Sequence, residues 1–219
     1  MLSILLSDFN ITALITYLLS AVFVVFFTMP IHEFAHALTA HLLGDNTAKY
    51  QGRLTLNPLA HIDPLGAVMI ALVGFGWAKP VQVNLNNFKK PKLGMAITAA
   101  AGPITNLICA FLLIVILKVI LMFTDLNIII VEFIMIAAYI NVSLAVFNLI
   151  PVPPLDGSKI LNACLPFRWY YKILQYEGYV RIALLILLAT NILSRPLSWL
   201  STTVFNGLGS LVNLPYHFI

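Results

Sequence analysis

Long apolar runs separated by short polar stretches make up almost the whole chain. The first runs from Ile11 to Leu43, longer than the roughly 20 residues a membrane helix needs, and Gly44-Asp45-Asn46 ends it. Pro30 falls inside this run, just before His32, and predicts a kink there. Residues 46–64 are polar, with turn signals at Asn57-Pro58 and Asp63-Pro64. Residues 66–77 are apolar but too few to span, which predicts a short or re-entrant helix. A second long run covers 95–123, interrupted by Gly102-Pro103, and a third covers 128–150. Residues 151–177 predict a loop with a short helix, 179–194 a fourth, marginal span, and 197–214 a short span or an interfacial segment. Arg53-Leu54-Thr55-Leu56 and Pro80-Val81-Gln82-Val83-Asn84-Leu85 alternate in polarity. They predict a small β-ribbon at the cytoplasmic face, with an irregular loop as the rival reading. The fold class expected is an all-α polytopic membrane protein with about 4–6 membrane helices.

Composition agrees. The 219 residues are 61% hydrophobic and 9% charged, with a mean hydropathy of +0.97. Soluble domains carry about 25% charged residues, so the lipid bilayer is the expected solvent. The net charge of +4 is too small to suggest nucleic-acid binding. Instead the basic residues mark sides. Most lie in 44–65, 78–94 and 151–177, and none precedes Lys49. By the positive-inside rule these loops are cytoplasmic, and the N-terminus is outside, without a removable signal. The parity works if 66–77 does not cross. Cys109 and Cys164 read as packing residues rather than a disulfide.

Against this background His32-Glu33-Phe34-Ala35-His36 stands out, because it lies inside the first apolar run. On a helix, residues i and i+4 lie about 40° apart, so the two histidines aim at one point. Glu33 sits roughly 100° round from His32, within reach of a metal-bound water without ligating the metal. This is the H-E-x-x-H pattern of zinc proteases. Zinc lowers the pKa of bound water to about 7, and Glu33 can take the proton. Ionisable groups inside a membrane are costly and read by default as functional. His41, about 180° from His32, cannot share the metal and reads as interfacial.

A catalytic zinc needs a third protein ligand. Among the eight acidic residues Asp156 is the best candidate, with Asp63 and Glu177 behind it. Asp156 closes Asn148-Leu149-Ile150-Pro151-Val152-Pro153-Pro154-Leu155-Asp156-Gly157 at the end of the third long run. His32 lies roughly 16 Å above the end of its helix, so this Pro-rich segment must dip back into the membrane. The rival reading makes Asp156 an N-cap for a helix over 157–164. Asn57, His61 and Asp63 are expected near a polar entry for water.

Together, His32-Glu33-Phe34-Ala35-His36, Ala101-Gly102-Pro103-Ile104-Thr105-Asn106 and Asn148 through Gly157 resemble the site-2 protease family of intramembrane zinc metalloproteases. The similarity covers roughly residues 20–165. Gly76-Trp77-Ala78-Lys79-Pro80-Val81 is similar to the compact subgroup without PDZ or CBS modules. The length suits a single membrane domain over 1–219, with a catalytic core expected over about 20–165 and C-terminal helices over about 178–214. It implies one zinc per chain held by His32, His36 and Asp156, with Glu33 as base. It also implies cleavage of a membrane-protein or membrane-peptide substrate. Asn148 and Asn106 are candidates to steady the oxyanion; interhelical hydrogen bonding is the bland alternative for both. An edge of the expected ribbon could add a substrate strand. Two rivals stand beside this reading: a non-catalytic membrane protein that binds metal or a client, and another H-E-x-x-H lineage that uses Glu177 as ligand.

Overall fold

The computed structural model describes residues 11–61, 63–73, 79–124, 126–166, 168, 175–190 and 192–214, and among these it is helical without a strand. Helix α1 (Ile11–Phe23) passes through a five-residue π-helical turn (Val24–Thr28) into α2 (Met29–Leu42). Pro30 accounts for that turn. It has no N–H to give to the Phe26 carbonyl, and its ring would strike that oxygen. The wider turn, in which the Met29 N–H reaches back to the Val24 carbonyl, relieves both problems. The expected kink is therefore a π turn, placed so that α2 starts directly before the His motif. Gly44, at φ +107°, closes α2 in a conformation that side chains disfavour.

Two one-turn helices follow, α3 (Thr47–Tyr50) and α4 (Pro58–His61), and then α5 (Pro64–Val73). The 10 described residues of α5 make a helix about 15 Å long, within the apolar stretch expected to form a short or re-entrant helix. Residues 74–78, which include the first half of the Gly76–Val81 stretch, lie outside the described residues. Next come α6 (Pro91–Phe123), α7 (Ile128–Asn148), α8 (Asp156–Cys164), α9 (Glu177–Ala189) and α10 (Ser194–Leu211). Among the described residues three helices are long and apolar enough to cross a membrane: Ile11–Leu42, α6 and α7. The marginal fourth span expected over 179–194 corresponds to α9, whose 13 residues are about 20 Å long.

The three long helices pack through small residues, as membrane helices do. Tyr17, Ala21, Val24 and Val25 meet Ala137, Ile140 and Leu144 of α7. On the other side of α7, Ala138, Val142 and Val146 meet Ala110 and Ile114 of α6 and Phe205 of α10. The Ser20 hydroxyl bridges to the Phe133 carbonyl at 3.1 Å. Outward faces carry apolar stripes: Ile11, Ile15, Leu19 and Val22 on α1, and Ile104, Ile108, Leu112 and Ile116 on α6. In water such stripes would be costly, whereas lipid solvates them. The protein is a helical membrane protein.

The β-ribbon is not formed. Residues 53–56 and 79–84 carry no strand. They do lie side by side, with the Gln51 amide donating to the Gln82 side chain at 3.0 Å. The alternation in 81–83 has a different cause. Val81 and Val83 pack on Ala37 of α2 and Ala48, together with Leu54. The N–H groups of that segment go to carboxylates: Val81 to Glu33 Oε2 at 3.2 Å and Asn84 to Asp45 Oδ2 at 2.7 Å. No ribbon edge exists to extend with a substrate strand, and two of the segment's donors are already committed.

Candidate metal centre

Helix α2 buries His32, Glu33, His36, Ala37 and Ala40 on one face, and this face lies against the first half of α6. The contact is close because Gly102 is there. A Cβ at that position would stand 2.3 Å from His36 Nε2 and 2.5 Å from His32 Nε2. Any side chain on α6 at this height would occupy the space of the imidazoles. The sequence motif contained Gly102, but its role was not read there. The signal was a glycine beside Pro103 in an otherwise unbroken apolar helix.

Asp156 arrives from the far end of α7. The Pro-rich turn leads into α8, in which Asp156 is the first residue; Leu155 precedes it in an extended conformation and forms no side-chain cap. The carboxylate does not cap the helix, so the N-cap alternative is not what forms. Asp156 Oδ2 instead lies 3.1 Å from His36 Nε2 and 3.5 Å from His32 Nε2, and the two Nε2 atoms are 3.1 Å apart. Among the described residues these three groups alone bring ligand atoms within 4.8 Å of one another as a candidate metal site.

The donor set fits zinc. Four ligands at 2.0–2.1 Å in a tetrahedron stand about 3.4 Å from one another, close to the three separations here. Two imidazoles and a carboxylate are ligand types zinc accepts. The His36 Nδ1–H donates to the Thr98 carbonyl of α6 at 2.7 Å. That bond fixes the tautomer and leaves Nε2 bare toward the candidate site. Thr98 enters through its backbone, so its side chain gave the sequence reading nothing to find. All three residues are buried, at 6% exposure each.

Glu33 sits beside them, 7% exposed, with Oε2 accepting from Val81. A cavity of about 650 Å³ opens off the site. Asn106 and Asn148 both border it. They differ in what they have free. The Asn148 Nδ2 donates to the Leu144 carbonyl one turn back, whereas the Asn106 side-chain oxygen is buried without a partner. Asp63 and Glu177 border the same cavity but stand outside the ligand cluster. Asp63 caps α5, accepting from the Leu65 and Gly66 N–H groups. Of the expected entry residues, Asn57 caps the Leu59 N–H, and buried His61 donates to the Thr55 carbonyl; only Asp63 reaches the cavity. His41 points elsewhere, toward Asn46. Lys159, one turn beyond Asp156, also borders the cavity. The sequence reading passed over it, although the i, i+3 spacing from a candidate ligand was visible.

Below the site, Asp45 ties the loop before α6 to the end of α2. Fully enclosed, it accepts from the Thr47 N–H and hydroxyl, the Asn84 N–H and the Asn87 amide. Burial pushes its carboxyl up, but the hydrogen bonds from Thr47, Asn87 and Asn84 outweigh this and hold it below the usual carboxylate range.

Comparison with known proteins agrees with this geometry. The family model "Peptidase family M50" matches residues 119–190, which include the Pro-rich turn and Asp156. The chain is 44% identical over 176 residues to "Putative zinc metalloprotease YwhC" of Bacillus subtilis, covering 76% of this chain and 78% of that protein. It is 30% identical over 170 residues to "Putative zinc metalloprotease Rip2" of Mycolicibacterium smegmatis, covering 75% of this chain and 64% of that one. A Mycobacterium tuberculosis protein of the same name is 28% identical over 162 residues, with 72% and 61% covered. No solved structure matches significantly. The chain belongs to peptidase family M50, the site-2 protease family. It is a zinc metalloprotease of the membrane.

Proposed function

We propose that the protein is an intramembrane endopeptidase that hydrolyses peptide bonds of membrane-embedded substrates, with His32, His36 and Asp156 holding one zinc ion and Glu33 as general base. The observation that carries this is the meeting of three buried ligand atoms within 4.8 Å beside Glu33, with His32, Glu33 and His36 on a helix long enough to cross a membrane. Zinc bound there supplies a Lewis acid that activates water and polarises a carbonyl. The chain's own groups do the rest. The Val81 N–H holds Glu33 Oε2, which leaves Oε1 to accept the proton of the attacking water and return it to the leaving amine. Asn106 and Asn148, which border the cavity, steady the developing oxyanion through their amide N–H groups; Asn148 gives one N–H to the Leu144 carbonyl and keeps the other.

Depth supports the intramembrane reading. From His36 to the end of α2 is six residues, and from Thr98 back to the start of α6 is seven. At 1.5 Å per residue both place the contact about 10 Å inside the helix ends. Exposed Lys89 and Lys90 stand at that end of α6, so the site opens to the cytoplasm and the N-terminus lies outside. The catalytic core spans about 20–165, and about 178–214 completes a single domain over 1–219.

Purified protein in lipid vesicles, given a substrate with one membrane span, tests this. Wild type is expected to cut inside the span, and Glu33→Gln to slow cutting at least about a hundredfold. Cutting at the wild-type rate by Glu33→Gln, or cutting by wild type only in soluble peptides, would contradict the reading.

A further inference from the structure

We propose that Lys159 is a positioning residue that holds Asp156 to one oxygen toward the metal and so keeps a coordination position open for reaction. The inference rests on the zinc ligation proposed above. The two carboxylate oxygens of Asp156 are divided. Oδ2 faces His32 and His36, while Oδ1 lies 3.0 Å from Lys159 Nζ. Helix α8 builds this division: it begins at Asp156, and residues i and i+3 share a face. The Asp156 side chain is 8% exposed and the Lys159 side chain 40%, so the ammonium stands at the mouth of the cavity and its partner lies within.

The division matters because a carboxylate has two equivalent oxygens and swings easily about its last torsion. With both oxygens on the metal, two imidazoles and one carboxylate would supply four donor atoms. With three protein donors a catalytic site leaves its fourth place to water, whereas with four protein donors water could enter only as a fifth ligand. A cation on Oδ1 prevents this. It also draws electron density from the carboxylate, so losing the cation does not weaken the carboxylate as a ligand. Partners that orient metal ligands commonly change activity 10–100-fold when removed. A plain i, i+3 surface pair would leave the metal's spectrum and the cleavage rate unchanged.

The test compares wild type, Lys159→Met and Lys159→Arg in detergent, each loaded with zinc for cleavage and with cobalt(II) for its visible spectrum. Four-coordinate cobalt absorbs strongly and higher coordination weakly. Lys159→Met is expected to keep its metal, lose much of the cobalt absorption and cleave about tenfold more slowly or worse. Lys159→Arg is expected to restore both. An unchanged spectrum in Lys159→Met overturns the inference, whether or not cleavage falls, since Lys159 would then act on substrate or not at all. Metal loss from Lys159→Met overturns it too, because Lys159 would then hold Asp156 in place rather than limit it. A wild-type protein that takes up neither metal would instead overturn the zinc site itself.

Discussion

The two halves of α6 show the same face to lipid and different faces to the protein. Ile97 and Ile104 in the first half, and Ile108, Leu112, Ile116 and Val119 in the second, form one exposed apolar stripe. On the inner side the first half buries Gly94, Thr98, Ala99, Gly102, Pro103 and Asn106, and the second buries Ala110, Ile114 and Leu117. The outward pattern reports the solvent, which is the same along the helix. The inward pattern reports the neighbour. Two imidazoles and a carboxylate need room, and the His36 N–H needs an acceptor, so the first half recedes to glycine and offers the Thr98 carbonyl. The second half faces the apolar side of α7 and fills space instead.

Gly102→Ala should break this contrast hardest. The new Cβ would sit within 2.6 Å of the His32 ring and of His36 Nε2. The expected outcome is a folded protein with little zinc and cleavage reduced at least about a hundredfold, as for a lost catalytic group; zinc content and cleavage check it. Ile114→Ala does the opposite: it opens a void in the filled half, where Ile114 is 0% exposed. With lipid rather than water as the reference, packing is the main loss, about 1–3 kcal/mol in unfolding measurements, with zinc kept. Asp45→Asn sharpens the comparison at its base, because Asp45 pins the loop that delivers α6. Replacing one acceptor oxygen by an amide sets a donor against the Asn84 N–H, at a cost of about 2 kcal/mol. The sign with pH follows from the lowered carboxyl. Its stabilisation is present above the ordinary carboxylate pKa of about 3.9 and fades as pH falls through the lower value in the folded protein. The gap in stability between wild type and Asp45→Asn should therefore be widest at neutral pH and narrow in acid. A constant gap would remove the charged form of Asp45 from the account.

Much of this was legible in the sequence. Helical spacing alone brought His32 and His36 to one point, and the scarcity of acids in an apolar chain shortened the search for a third ligand to Asp156, with Asp63 and Glu177 behind it. Pro30 announced a disturbance, though not its form as a π turn, since that depends on how the following helix must be aimed. The β-ribbon failed for a definite reason. Alternation at 81–83 shows only that one face is apolar; it does not say where the backbone N–H groups go, and here they go to Glu33 and Asp45. Such carboxylate partners, like the carbonyl of Thr98, join residues far apart in the chain and leave no periodic trace. Gly102 carried a signal, but its meaning needed the helix on the other side.

Zinc content and cleavage measured side by side in wild type, Glu33→Gln and Asp156→Asn test the central claim most directly. The account predicts about one zinc per chain in wild type and in Glu33→Gln, as a catalytic site with three protein ligands implies. It predicts little zinc in Asp156→Asn, and cleavage by wild type alone. Full zinc in Asp156→Asn, or zinc lost from Glu33→Gln, would contradict it.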